Sequence, residues 1–120
     1  YVKAIFDPAN FVQCNVTSYP SAYSIMKEHI VYMHIKDAMF DSHKVVPSGM
    51  GDGGIKEILS DLKKKDFCGY LSIEPHLGSF PALADLELNL DVSDMPEGGP
   101  KQFSIACNAL KKILNDLEEE

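Results

Sequence analysis

The sequence predicts an α/β fold in which three short parallel strands alternate with three helices. The strands are indicated by apolar stretches bounded by turn residues, at 2–6, 30–35 and 67–73. The helices are indicated by apolar residues at helical spacing, at 19–29, from 55 to 65 and at 103–117. This β-α-β-α-β-α order is typical of parallel strands joined by right-handed crossovers.

The first unit joins its strand to its helix through a polar connection. Pro8 stops the strand directly after Asp7 and predicts a turn over 7–10. A loop is expected over 13–18, and Pro20 suits the first turn of the helix that follows. The apolar stripe of that helix consists of Ala22, Ile25, Met26 and Ile30.

The second unit contains a glycine-rich loop over 37–54, whose glycines are expected to allow a tight approach to the next helix. That helix begins at Ile55 and ends in three lysines at 63–65, which suit the negative end of a helix dipole. Its apolar stripe consists of Ile55, Ile58, Leu59 and Leu62.

The third strand runs into Glu74, and prolines break the segment 75–100, which we interpret as a lid or a subunit contact. The closing helix has the apolar stripe Phe103, Cys107, Leu110, Leu114 and Leu117. No linker divides the chain, so residues 1–120 are expected to form a single domain. Tyr1 is followed at once by strand-like sequence, and we therefore expect the chain to be part of a longer protein.

Composition narrows the classes of partner and compartment. The net charge is −7, and all 11 basic residues are lysines, which argues against a nucleic-acid partner. No apolar run is long enough to span a bilayer, so no membrane partner is expected. The 3 cysteines are widely spaced and odd in number, which argues against a disulfide framework and favours the cytoplasm.

Three ligand-type side chains lie at predicted carboxyl ends of strands, namely Asp7, His34 and Glu74. Successive members are about one βα unit apart, so parallel pairing would bring them side by side. Two carboxylates and an imidazole suit manganese, magnesium, cobalt or zinc. The spacing also allows a purely structural interpretation, in which Asp7 caps a turn, His34 is a core histidine and Glu74 pairs with a lysine.

Four segments form a further pattern, namely FDPAN at 6–10, HIKDA at 34–38, VPSGMGDG at 46–53 and LSIEPHL at 71–77. Together they resemble successive signatures of the xylose-isomerase-like sugar phosphate isomerase/epimerase family. The resemblance covers nearly all of the chain, and it implies a (β/α)8 barrel of which this chain forms the last three units, strands six to eight.

The resemblance also implies a function. It places one divalent metal, with manganese favoured, on Asp7, His34 and Glu74, and a further glutamate ligand before Tyr1. Glu74 would be a catalytic carboxylate that moves a proton on a ketose or ketose phosphate. Because one ligand would be missing, the chain is expected to be inactive alone.

Three further residues are candidates for substrate binding, each with a structural alternative. Asn10 could contact substrate oxygens or stabilise the turn after the first strand. Lys36 could neutralise a substrate oxygen or pair with Asp37 or another neighbouring acid. His76 could line the site or lie on the solvated surface.

Two other functions are open. Asp41, Ser42 and His43 loosely match the zinc motif of an endonuclease-IV-like DNA repair enzyme, although the glycines fall too far downstream and the chain is acidic. Alternatively, the chain is a non-catalytic fragment or interaction module. Three βα units expose sheet edges, and these favour pairing with a second copy, so a homo-oligomer is expected.

Overall fold

The computed structural model of the protein describes residues 2–75 and 99–120. Its main elements are β1 (Ala4–Phe6), α1 (Pro8–Gln13), α2 (Tyr23–Met26), β2 (Ile30–Ile35), β3 (Asp37–Ala38), β4 (Val45–Val46), α3 (Ile55–Lys64), β5 (Tyr70–Ile73) and α4 (Pro100–Glu119). A wide turn over Ser18–Ala22 precedes α2, and a 3-10 turn over Lys27–His29 follows it.

The central feature is a parallel sheet in the order β1-β2-β5. The predicted α/β class with parallel strands is therefore confirmed. Because β2 lies in the middle, its carboxyl end adjoins the carboxyl ends of both neighbours. The small antiparallel pair β3-β4 extends from the end of β2 and lies within the loop that was predicted to be irregular.

The two faces of the parallel sheet differ in burial. Phe6, Met33 and Ile35 point into the core, where α3 and α4 cover them. The opposite face carries Ile5 and Tyr70, which are 54% and 79% exposed. This alternation follows from the period-two geometry of a strand.

The helices contribute apolar stripes to the core. All four predicted residues of α3, from Ile55 to Leu62, are buried. In α4 the prediction was partly wrong, because Phe103 is half exposed and Leu114 and Cys107 lie at the margin. The buried residues of α4 are Gln102, Ile105, Ala106, Ala109, Leu110, Ile113 and Leu117.

Two predicted connections have a different structure. Residues 8–13 form the helix α1 instead of a turn and loop, since Asp7 caps its N-terminus and Pro8 occupies its first position. The helix expected over 19–29 is interrupted, because Tyr19 is extended and only Tyr23–Met26 is α-helical. Ile25, predicted to be buried, is exposed.

The third strand is shorter than expected. It begins at Tyr70 and not at 67, because the chain turns between α3 and β5. Asp66 has a positive φ of 52°, and the Phe67 N–H bonds back to the Leu62 carbonyl at 3.1 Å. No helix of the described residues is both long and apolar enough to cross a membrane. Residues 76–98, which form most of the segment interpreted as a lid or a subunit contact, lie outside the described residues.

Candidate metal centre

The three predicted ligands meet at the carboxyl edge of the parallel sheet. Asp7 directly follows β1, His34 lies one residue before the end of β2, and Glu74 directly follows β5. One ligand atom from each residue lies within 4.8 Å of the others. They are the sole group of this kind among the residues that the structure describes.

The imidazole lies between the two carboxylates. His34 Nδ1 is 3.6 Å from Asp7 Oδ2 and 3.4 Å from Glu74 Oε2. Ligands about 2.1 Å from a shared ion are about 3.0–3.4 Å apart in octahedral or tetrahedral coordination. The observed separations are close to these values, so only small shifts would bring the three atoms into one coordination sphere.

The exposed fraction of the three side chains increases from Asp7 to Glu74. The Asp7 side chain is 9% exposed, His34 is 30% exposed and Glu74 is 36% exposed. Asp7 therefore forms the floor of the site, and Glu74 lies where a small molecule could reach it from solvent.

Lys36 places an ammonium group within the same site. Its Nζ donates a hydrogen bond to Glu74 Oε2 at 3.1 Å and lies 3.1 Å from Asp7 Oδ2. Burial would lower the pKa of Lys36, but its contacts with Glu74 and Asp7 outweigh burial and raise it. The group is therefore a charged cation at neutral pH. Of the two alternatives for Lys36, the pairing with neighbouring acids is present, but with Asp7 and Glu74 and not with Asp37.

The two Asp7 oxygens have different surroundings. Oδ1 accepts the Asn10 N–H at 3.0 Å and so caps α1. Oδ2 is buried, and its cationic partner is the Lys36 ammonium, 3.1 Å away. A buried carboxylate oxygen with lone pairs facing an imidazole and a second carboxylate fits a metal ligand. Asp7 can therefore cap the helix through one oxygen and bind an ion through the other.

The remaining candidates are less directly placed. Asn10 is exposed, and its backbone N–H donates to Asp7. Of its two predicted roles, this contact matches the stabilisation of the chain after the first strand, although that part of the chain is a helix and not a turn. His76 lies outside the described residues. His43 is exposed and its Nε2 lies 2.9 Å from Asn15 Oδ1, and Asp41 and His43 join no ligand group among the described residues.

Asp37 is a buried acid whose role the sequence did not reveal. It is fully buried and accepts backbone N–H groups from Ala38 and three glycines. The glycine bonds measure 2.9 Å from Gly49, 3.1 Å from Gly51 and 2.9 Å from Gly53. Burial raises the pKa of Asp37, and these four donors oppose the rise.

The glycines allow this approach because a side chain would collide with the acid. A Cβ at Gly51 would lie 2.5 Å from Asp37 Oδ1, and one at Gly53 would lie 2.7 Å from the same oxygen. The expected approach was to the next helix, whereas at these two positions the nearest atom belongs to the Asp37 carboxylate. The alternate spacing of glycines at 49, 51 and 53 is the signal that could have indicated it.

Comparison of the chain with protein-family models, with curated proteins and with solved structures found no match.

Proposed function

We propose that the chain is the carboxyl-terminal part of a metal-dependent ketose isomerase or epimerase with a (β/α)8 barrel. The observation that carries the proposal is the convergence of Asp7, His34 and Glu74 at three adjacent strand ends, within 4.8 Å. The four signature-like segments supply the reaction class. One divalent ion is proposed, with manganese favoured over magnesium, cobalt and zinc.

In this proposal Asp7, anchored by its bond to Asn10, would hold the ion together with His34 and Glu74. Glu74 would have a catalytic task as well. A divalent metal bound there supplies Lewis acidity to a substrate oxygen. Glu74 lies at the solvent-facing rim, where its carboxylate would remove a proton from the carbon beside the sugar carbonyl and return it to the neighbouring position.

The substrate class follows from the same site. A sugar or sugar phosphate would enter beside Glu74, with Lys36, Asn10 and His76 as candidate contacts to its oxygens. Lys36 is the strongest of the three, because its ammonium already lies within the site. A cytoplasmic location is part of this proposal, since three widely spaced, unpaired cysteines are typical of a reducing compartment.

Manganese binding by this chain tests the metal site. Isothermal titration calorimetry should show binding near one ion per chain, and Asp7→Asn together with His34→Ala should abolish it. The matched control is Asp52→Asn, which alters an exposed acid whose carboxylate accepts the Phe40 N–H. Equal binding by wild type and the double variant would overturn the site.

The chemistry is tested in the longer protein that this proposal requires. Incubation with ketoses and ketose phosphates in deuterium oxide should place deuterium on the carbon beside the carbonyl. Glu74→Gln should remove turnover and exchange together and leave the fold intact, because Glu74 is only partly buried. Turnover by the Gln variant would exclude Glu74 as the base.

A second candidate is an interaction module that forms a homo-oligomer. The observation in its favour is the exposure of Ile5 and Tyr70 on the two outer strands of the sheet. Sedimentation equilibrium should then show a dimer or larger species that Tyr70→Lys dissociates. A monomer at all concentrations would exclude this function for the isolated chain.

A further inference from the structure

We propose that Lys36 is a resident counter-cation that competes with the divalent ion for the two carboxylates of the site. In the metal-free chain its ammonium would take the place of the ion, and the ion would bind by displacing it. The inference rests on the proposed metal site and concerns how its affinity is set.

The ammonium and the proposed ion share the same two oxygens. Lys36 Nζ lies 3.1 Å from Asp7 Oδ2 and 3.1 Å from Glu74 Oε2. These are also the two oxygens that face His34 Nδ1. An ion held by all three ligand atoms would therefore lie next to the ammonium, and two cations at that separation in a partly buried site repel strongly.

Lys36 is committed to this site in the metal-free chain. The residue is only 8% exposed, so its charge depends on these two carboxylates for compensation. The adjacent acid, Asp37, does not compete for the ammonium, because four backbone N–H groups already occupy its oxygens. Lys36 and Asp37 are consecutive in the chain, but their charges are compensated by different partners.

The ammonium can leave the two carboxylates on the side of the site that faces solvent. Lysine carries its charge on a flexible four-carbon chain, and the Glu74 side of the site is open to solvent. Displacement would move the ammonium to this rim while the carboxylates stay in place. Lys36 would thus keep the metal-free site assembled. The site would bind metal more weakly than the same three ligands would without the lysine.

Manganese affinity of Lys36 variants tests this competition. Lys36→Met removes the charge and retains an apolar chain of similar length, and Lys36→Gln retains a hydrogen-bond donor without the charge. Both should bind Mn²⁺ about tenfold or more tightly than wild type in calorimetric titrations. Lys36→Arg retains the charge and should stay near the wild-type affinity.

Thermal unfolding supplies an independent readout. Without metal, Lys36→Met and Lys36→Gln should unfold at lower temperature than wild type, because two carboxylates lose their counter-cation. Added Mn²⁺ should raise their midpoints by more than it raises the wild-type midpoint. Lys112→Met is the matched control, since it removes an exposed ammonium that pairs with Asp116 on α4 and should leave affinity unchanged.

The outcomes separate this inference from the proposed function. Wild-type binding that is equal to or tighter than that of both neutral variants would overturn the competition and leave the metal site standing. No Mn²⁺ binding by wild type or any variant would overturn both. Binding by the neutral variants alone would support the competition in its strongest form.

Discussion

Asp37 and Asp7 are buried carboxylates near the ends of neighbouring strands, and they are compensated in opposite ways. Asp37 receives four hydrogen bonds from backbone N–H groups, three of them from one glycine-rich loop. Asp7 receives a single backbone N–H, and its second oxygen is faced by the side-chain cation of Lys36 and by His34.

The two acids differ in whether their hydrogen-bond and charge partners can be replaced. A backbone N–H cannot leave without unfolding the loop that carries it, so Asp37 is tied to one structure. A lysine side chain can rotate away, so the second oxygen of Asp7 can change partners. We infer that Asp37 is an anchor for residues 49–53 and that Asp7 belongs to an exchangeable site.

Replacing each acid by asparagine, which has the same shape, should give the largest difference in the free energy of unfolding that this comparison predicts. Asp37→Asn puts an amide NH₂ in front of two N–H donors, because each carboxylate oxygen accepts two of the four. Leaving two buried donors unpaired should lower the free energy of unfolding by about 2–4 kcal/mol. Asp7→Asn retains an oxygen for Asn10 but puts its amide NH₂ beside the buried Lys36 ammonium, which keeps Glu74 as a partner and can move, so the loss should be smaller, about 1–2 kcal/mol.

Urea denaturation of both variants, with metal absent, measures the contrast. Equal losses would show that the backbone donors and the lysine compensate their acids in the same way. A larger loss for Asp7→Asn would reverse the assignment of anchor and exchangeable site.

A second variant probes the anchor from the loop side. Gly51→Ala should destabilise the protein by about 1–3 kcal/mol, because its Cβ would collide with Asp37 Oδ1 and with the Ala38 carbonyl oxygen. In an Asp37→Ala background the carboxylate is gone, so the same substitution should cost less. A double-mutant cycle measures this coupling. Additive losses would mean that the glycine is needed for the Ala38 contact or the backbone alone.

Much of the fold could be predicted because it rests on periodic burial. The strand at 30–35 and the helix from Ile55 were both correct, since a face packed in the core leaves a regular apolar pattern. The meeting of Asp7, His34 and Glu74 was predictable for a related reason. Parallel strands align their carboxyl ends, so three ligand-type residues at those ends must be neighbours.

The remainder depends on interactions that leave little trace in a pattern. The helix α1 has six residues and too few turns to show a stripe, and its signal is confined to the Asp7 cap and Pro8. Asp37 was missed because its partners are backbone groups, which every residue type carries. Pairing of Lys36 with an acid was one of its two predicted alternatives, but the choice of Asp7 and Glu74 over Asp37 depends on the three-dimensional arrangement.

The third acid is Asp61, whose partner is the neutral hydroxyl of Tyr23. Its effect on the free energy of unfolding is expected to be the smallest of the three. The buried Tyr23 hydroxyl donates to Asp61 Oδ2 at 2.8 Å, and burial together with this bond raises the pKa of Tyr23. The hydroxyl is held protonated in the folded chain, whereas an unfolded tyrosine ionises near pH 10. The stabilisation should therefore be complete below about pH 10 and should be lost as the pH rises further.

Tyr23→Phe isolates that contribution, since phenylalanine keeps the packing and cannot ionise. At pH 7 the variant should be about 1 kcal/mol less stable than wild type. Above about pH 10 the wild-type free energy of unfolding should fall by up to about 1.4 kcal/mol per pH unit more steeply than that of the variant, so the gap should close. A gap that stays constant into alkaline solution would mean that Tyr23 ionises equally in the folded and the unfolded chain, so that neither burial nor the bond to Asp61 favours its protonated form.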